Sequence, residues 1–407
     1  MVFKILKRLI YILFFPFLFI LNKVFPLNEE KVLFCTKAGQ FNGNAKHFFI
    51  YLLEKKTKYP IWVAEDIVNY DYLCNKFGQS NIFLSKKGFF GTIKHLYHYV
   101  SAATIIIRGQ SDIWKFMRLG RRKKRKIINV GHGGSGPGMK RGGNGWINIS
   151  AKKIKKGQKM RRAISHYITS SELQRYIIAT SAPMDVKKTY PTGMPRNDIY
   201  FNNPPDVQVL KQNIKLLVKT NIDIEKIILY APTHRDGDPT ILFPFEDFSI
   251  SRLQNILINN NAIMLLRTHD EENKFSIEDT KNIGKYLTDR IFYFSHTILL
   301  DINEILPCID LLLTDYSSLV TDYLLFNKPI IYIPYDLLNY ERGVHFSDYE
   351  NWTPGIKVYS SEKFYNAIEQ SLSDPFKYSL EREKLKTMLH KHIDGNSCER
   401  LLDLINS

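Results

Sequence analysis

The feature that most constrains this chain is a rhythm. Short, almost wholly apolar runs alternate with longer amphipathic or polar stretches over most of its length. "KVLFCT" (31–36), "IWVAED" (61–66), "ATIIIR" (103–108), "KIINVGH" (126–132) and "HYITSS" (166–171) read as short buried strands. "NAKHFFIYLLEKK" (44–56) reads as an amphipathic helix between the first two. The rhythm resumes after Asn202-Asn203-Pro204-Pro205, the best candidate for a linker, with "KIILYAPT" (226–233), "AIMLLRTH" (262–269), "RIFYFS" (290–295), "DLLLTD" (310–315) and "PIIYIP" (329–334). Strands alternating with helices on both sides of one linker predict an α/β chain of two Rossmann-like parallel-sheet domains facing each other across a cleft. The expected divisions are 1–27 as a separate leading segment, 28–203 and 204–407. A length of 407 residues, with 44% apolar and 13% aromatic content, suits two folded cores.

In such domains ligands bind beyond the carboxyl ends of the strands. Three successive strand ends of the second half are polar. The stretch "LLLTDYSSLVTDYLLFNKP" places Thr314, Asp315, Ser317 and Ser318 between a strand and a helix. Asp and Ser there can be simple helix caps, or the hydroxyls and unpaired N–H groups can cradle a phosphate. "YAPTHR" ends on Thr233, His234 and Arg235, and "LLRTHD" on Arg267 and His269. Arginine is the planar, permanently charged partner for phosphate oxygens, and histidine can donate to a phosphate or move a proton near neutral pH. In the first half, "INVGHGGSGPGMKRGGNG" opens a glycine-rich loop on His132. It is neither a dinucleotide fingerprint nor a Walker motif. Gly131, Gly133 and Gly134 let the backbone come close to a ligand, and His132 is either a structural turn residue or a general base reaching into the cleft.

A net charge of +17 points to an anionic partner: nucleic acid, an anionic membrane or a polyanionic substrate. Two acid-free runs carry much of it, "RLGRRKKRK" (118–126) and "KKIKKGQKMRR" (152–162). From these, Arg121, Arg122, Lys123 and Lys124, together with Lys140 of the glycine-rich loop, are expected to meet the acceptor or the membrane. Neither run interleaves aromatics for base stacking, which argues against nucleic acid. The opening "MVFKILKRLIYILFFPFLFILNKVFP" holds an apolar run, Leu9 to Leu21, flanked by cations. It is shorter than the roughly 20 residues that span a bilayer and is interrupted by Pro16, so it is expected to lie on an anionic membrane surface. Four cysteines without metal-ligand spacing read as reduced thiols. No carboxylate cluster suits a metal, so neither a metal nor another cofactor is expected.

These motifs resemble the CDP-glycerol glycerophosphotransferases that build teichoic-acid-type polymers. The likeness runs from about Asn44 to Gly355 and is densest in "GMPRND" (193–198), "APTHR" (231–235), "LLTDYSSLVTDYLLFNKP" (312–329) and "RGVHFSDYENWTPG" (342–355). The resemblance implies a glycosyltransferase B fold, with a CDP-glycerol donor in the second half and the acceptor in the first. It implies His132 as the base, with His269 also catalytic. Thr233, Arg235, Arg267, Thr314, Asp315, Ser317, Ser318 and Asp322 are then expected at the donor. The acceptor would be a lipid-linked, anionic glycerophosphate at the cytoplasmic face of the cell membrane. The chain departs from the family pattern at Gly131 and the longer glycine-rich loop, and at Asp270, where the family usually has proline. CDP-ribitol or a nucleotide sugar remains an alternative donor. A basic binder of membrane or nucleic acid without enzymatic activity is the reading outside the family.

Overall fold

The computed structural model describes residues 16, 19–85, 89–108, 122–131, 136, 138–139, 150, 155, 161–181, 184–235, 241–268 and 283–407. Within them the chain builds two parallel sheets. The first comprises β1 (Asn28–Cys35), β2 (Tyr59–Ala64), β3 (Ile82–Leu84), β4 (Ala102–Ile107), β5 (Lys126–Asn129), β6 (His166–Ile168) and β7 (Thr189–Tyr190), in the order β3-β2-β1-β4-β5-β6-β7. The second comprises β8 (Lys226–Tyr230), β9 (Ala262–Leu266), β10 (Ile291–Tyr293), β11 (Leu311–Thr314), β12 (Ile330–Tyr332) and β13 (Ile356–Lys357), in the order β10-β9-β8-β11-β12-β13. The α/β architecture with two parallel sheets is as the sequence predicts.

The central strands are largely apolar because both faces of each sheet are covered. Successive side chains of a strand point to opposite faces. Val32 and Phe34 of β1 therefore join one core cluster, with Phe48, Phe49 and Leu52 of helix α1 (Gly43–Lys55). Leu33 and Cys35 join another, with Tyr99 and Val100 of helix α2 (Phe89–Ser101). In β8, Ile227 and Leu229 face one cluster and Ile228 and Tyr230 the other. The short edge strands β3, β7 and β13 are too brief to show periodicity in the sequence. All four cysteines are free thiols.

Two features differ from a simple pair of consecutive units. Helix α3 (Ser397–Asn406) follows the second sheet but packs on the first: Cys398, Leu401, Leu402 and Ile405 share a core cluster with Phe48 and Phe49. At the other end, residues 19–24 are helical and present Phe19, Ile20 and Val24 outward. Much of the apolar run from Leu9 lies outside the described residues. None of the described helices is long and apolar enough to cross a membrane.

Candidate functional site

Parallel pairing of β8, β9 and β11 brings the polar ends of these strands to one edge of the second sheet. Asp315 is the brace there. It is 3% exposed, and its Oδ1 accepts from the backbone N–H of Thr233 at 2.8 Å and of Tyr316 at 2.6 Å. Its Oδ2 lies 3.0 Å from Arg235 Nη2. Thr314 Oγ1 donates to the Ala231 carbonyl at 2.8 Å, so the ends of β8 and β11 are stitched together twice. Thr233 Oγ1 is buried beside them without a hydrogen-bond partner among the described residues.

Arg235 is buried and also clasped by Asp336, with Nε–Oδ2 at 2.7 Å and Nη2–Oδ1 at 2.9 Å. Its guanidinium stands 4.8 Å from the Tyr340 ring centroid and 5.2 Å from that of Tyr335. Burial alone would favour losing the proton, but Asp315 and Asp336 outweigh it and hold the guanidinium charged. Ser317 and Ser318 are half-buried at the start of the short helix α4 (Leu319–Tyr323). Ser318 makes no side-chain capping bond, and Ser317 Oγ accepts weakly from Leu319 N at 3.3 Å. Of the knot, then, Thr314 and Asp315 serve as scaffold, and the two serines carry the more accessible hydroxyls.

Two residues expected at the donor have other partners. Arg267 donates to the carbonyls of Phe294, Ser295 and Leu299 at 3.3, 3.0 and 2.7 Å, and contacts His296 Nδ1 at 2.9 Å. It organises the loop after β10, because a buried guanidinium with five donors is best satisfied by converging carbonyls. Asp322 is 1% exposed and takes up the guanidinium of Arg196, with Nε–Oδ1 at 3.3 Å and a second, shorter contact from Nη2. His132, His269, Lys140 and Arg121 lie outside the described residues. Gly131, just before His132, closes β5 with a φ of +66° and donates to Asn129 Oδ1 at 2.9 Å. That left-handed turn favours glycine. Thr268, before His269, contacts Tyr293 Oη at 3.1 Å. Each histidine thus follows the carboxyl end of a strand in a different sheet. Among the described residues no three of His, Cys, Asp or Glu converge as metal ligands.

The basic run also divides. Arg125 is buried, donating to Asn22 Oδ1 at 2.6 Å, Val100 O at 2.7 Å and Ala102 O at 3.1 Å. Arg122 Nη1 reaches the Asn22 carbonyl at 3.1 Å, and Lys126 Nζ the Ile405 carbonyl at 2.6 Å. These cations dock helix ends, whose last carbonyls lack partners. Lys123 and Lys124 are exposed.

The sequence reading gave no role to the contacts that join the two halves. Besides Arg196–Asp322, the Gly43 N–H donates to Asp301 Oδ2 at 2.7 Å, and Tyr200 Oη to the Asn303 carbonyl at 2.7 Å. The N–H groups of Ser397 and Cys398 donate to the Asp198 carboxylate at 3.0 and 2.7 Å. Burial would raise the pKa of Asp301, but the Gly43 N–H, the Arg196 charge and Asn303 bring it down to about 2. His47 on α1 is lowered to about 4, first by burial, then by repulsion from Lys46. Both shifts make low pH destabilising. A histidine depressed from 6.5 loses its contribution as pH falls from about 6.5 to 4, and a carboxylate depressed from 3.8 loses its own as pH falls from about 4 to 2. Asp301 contributes about 2 kcal/mol by this linkage. Denaturant midpoints measured from pH 7 to 2 should therefore fall in two stages, and Asp301→Asn should flatten the lower one.

Past Gly131, the glycine-rich segment meets the second half. Met139 is 4% exposed inside the core cluster that holds Val320, Leu385 and Leu389. Its Sδ accepts from Thr321 Oγ1 at 3.1 Å and its carbonyl from His345 N at 3.1 Å. A Cβ on Gly138 would sit 2.6 Å from Thr353 Cγ2. Glycine at 138 lets the backbone approach the other half of the protein.

Comparison with known proteins gives concordant results. A family profile described as CDP-Glycerol:Poly(glycerophosphate) glycerophosphotransferase matches residues 17–407. The chain is 31% identical over 247 residues to the teichoic acid ribitol-phosphate polymerase TarL of Staphylococcus aureus, covering 59% of this chain and 41% of that one. It is 32% identical over 299 residues to the teichoic acid glycerol-phosphate primase of Bacillus subtilis, covering 71% of this chain and 70% of the primase. It spans about half the length of the ribitol-phosphate polymerases it matches. The solved wall teichoic acid polymerase TagF superposes with a TM-score of 0.73 at 17% identity, over 99% of this chain and 96% of that one. The two share a fold across both sheets.

Proposed function

Because this chain belongs to the CDP-glycerol:poly(glycerophosphate) glycerophosphotransferase family, we propose that it transfers glycerol phosphate from CDP-glycerol to a hydroxyl of a polymeric or lipid-linked acceptor, releasing CMP. The family match across residues 17–407 carries this reading. The acceptor oxygen attacks the donor's β-phosphorus in line, the bond from that phosphorus to the CMP oxygen breaks, and the hydroxyl proton passes to His132. Positioning and charge supply most of the rate. Ser317 and Ser318 offer hydroxyl donors to the pyrophosphate, and His269 a further donor. Asp315 and Arg235 act one step back, holding the ends of β8 and β11 in register.

Ribitol phosphate is the second reading, favoured by the likeness to a ribitol-phosphate polymerase alongside a glycerol-phosphate primase. The product belongs to teichoic acid or capsule-type synthesis. Work on a lipid-linked acceptor would place the protein peripherally at the cytoplasmic membrane face. The outward Phe19, Ile20 and Val24 and the exposed Lys123 and Lys124 support that placement, since apolar contact and attraction to anionic lipid add.

The test is a screen of CDP-glycerol, CDP-ribitol and UDP-sugars for nucleotide release with a lipid-phosphoglycerol acceptor. CMP from CDP-glycerol alone supports the first reading and CMP from CDP-ribitol the second. UDP release with no CMP would overturn both.

A further inference from the structure

The stretch "RGVHFSDYENWTPG" (342–355) has no part in the chemistry above, yet it joins the two halves. It touches the first half through His345 N to Met139 O at 3.1 Å and through Thr353 against Gly138. It touches the candidate site through Tyr349, whose Oη donates to the Asp315 carbonyl at 2.8 Å. Thr353 Oγ1 in turn donates to the Tyr349 carbonyl at 2.6 Å. Three links thus run from the first half's glycine-rich segment to the backbone of Asp315, whose carboxylate braces the donor-side strands.

We propose that Met139 is a positioning residue for the transfer: a latch that fixes the segment after β5 against the second half and keeps it in register with Asp315. The proposal rests on the transfer reading above. Gly131 and Gly136 bound a four-residue stretch that begins with His132. One end is set by β5, and the other by the burial of Met139 three residues beyond Gly136. Methionine suits the role because its thioether fills an irregular gap and accepts the Thr321 hydroxyl. The donor is held by the second half, so loosening the latch should leave donor binding alone and misplace what the first half brings to the reaction.

Met139→Ala should lower kcat at least about tenfold while the KM for the CDP-linked donor stays within about twofold, since small misplacements at a reacting centre cost up to about a hundredfold. Met139→Leu conserves volume and should restore most of the rate. Gly138→Ala removes nothing from the core but pushes on Thr353, and should reproduce the kcat loss. Hydrogen exchange at the His345 amide, which donates to the Met139 carbonyl, gives a readout without turnover. It should be slow in the wild type and in Met139→Leu, and fast in Met139→Ala and Gly138→Ala at temperatures below their melting transitions. Unchanged kcat in Met139→Ala and Gly138→Ala, or equal impairment of the Ala and Leu variants, would overturn the latch. So would a kcat loss that vanishes once the assay is cooled below the variant's Tm. If no CDP-linked donor turns over in the wild type but exchange protection of the His345 amide still depends on Met139, the transfer reading fails and the latch stands.

Discussion

Replacing Arg196 by methionine is expected to cost about 3–5 kcal/mol of stability, the usual price of stranding one member of a buried ion pair. Arg196 is 4% exposed and Asp322 1%. Without the guanidinium, the carboxylate of Asp322 has no other ion-pair partner among the described residues and is too buried to reach water. Asp322→Leu should also be damaging, because it removes the arginine's ion-pair partner and leaves the attraction of Asp301. The double variant Arg196→Met/Asp322→Leu should recover part of the loss, since apolar side chains of similar volume replace buried pairs at little cost while Asp301 still loses the arginine's charge. Thermal and denaturant unfolding of the four proteins closes the cycle. Single variants costing under about 1 kcal/mol, or a double variant as damaged as the sum, would show that the pair does not clamp the halves. The clamp also bears on geometry. Arg196 N donates to Asn44 Oδ1 at 3.2 Å, and Asn44 Nδ2 to the Val130 carbonyl at 2.7 Å, so α4 of the second half is tied to the end of β5 in the first.

A second large effect is expected at the two histidines. If His132 takes the acceptor's proton, His132→Ala should lower kcat about 10²- to 10⁴-fold and leave donor affinity nearly unchanged, because that interaction exists only as the proton moves. His269→Ala should weaken donor and CMP binding as well as kcat, since a phosphate partner is engaged before reaction too. Calorimetric titration of CDP-glycerol into each variant separates the roles without turnover. Loss of donor binding in His132→Ala, with binding retained in His269→Ala, would exchange the assignments. Near-normal turnover in His132→Ala would remove it from catalysis.

Much of the fold was legible because buried parallel strands announce themselves. "KIILY" and "LLLT" are apolar on both faces, and helices cover both faces. The site was legible as a location more than as a list of roles. Thr233, Arg235, Thr314, Asp315, Ser317 and Ser318 do gather at one sheet edge. What residue type and spacing could not show is which donors are already spent. Arg267 reads as a phosphate ligand until the carbonyls of the loop after β10 are seen around it, and Asp322 reads as a site carboxylate until Arg196 is found against it. Arg122 and Arg125 likewise read as free charge, although helix-end acceptors at residue 22 occupy them. All four depend on partners at least 23 positions away, a separation no local pattern encodes. Arg196 lies in "GMPRND", one of the stretches that carry the family resemblance, but nothing local points to its distant partner.

Helix α3 has a consequence for how the chain is made. The face of the first sheet bearing Phe48 and Phe49 is completed by Leu401, Leu402 and Ile405, which emerge long after β7 at Thr189–Tyr190. At ribosomal speeds of about 5–20 residues per second, that gap leaves the earlier sheet without its cover for roughly ten to forty seconds. The nascent first half must therefore wait with an apolar face open while the second half is synthesised. Its requirement for chaperones should depend on elongation rate, and a release of stalled chains before Ser397 should yield aggregation in place of a working half.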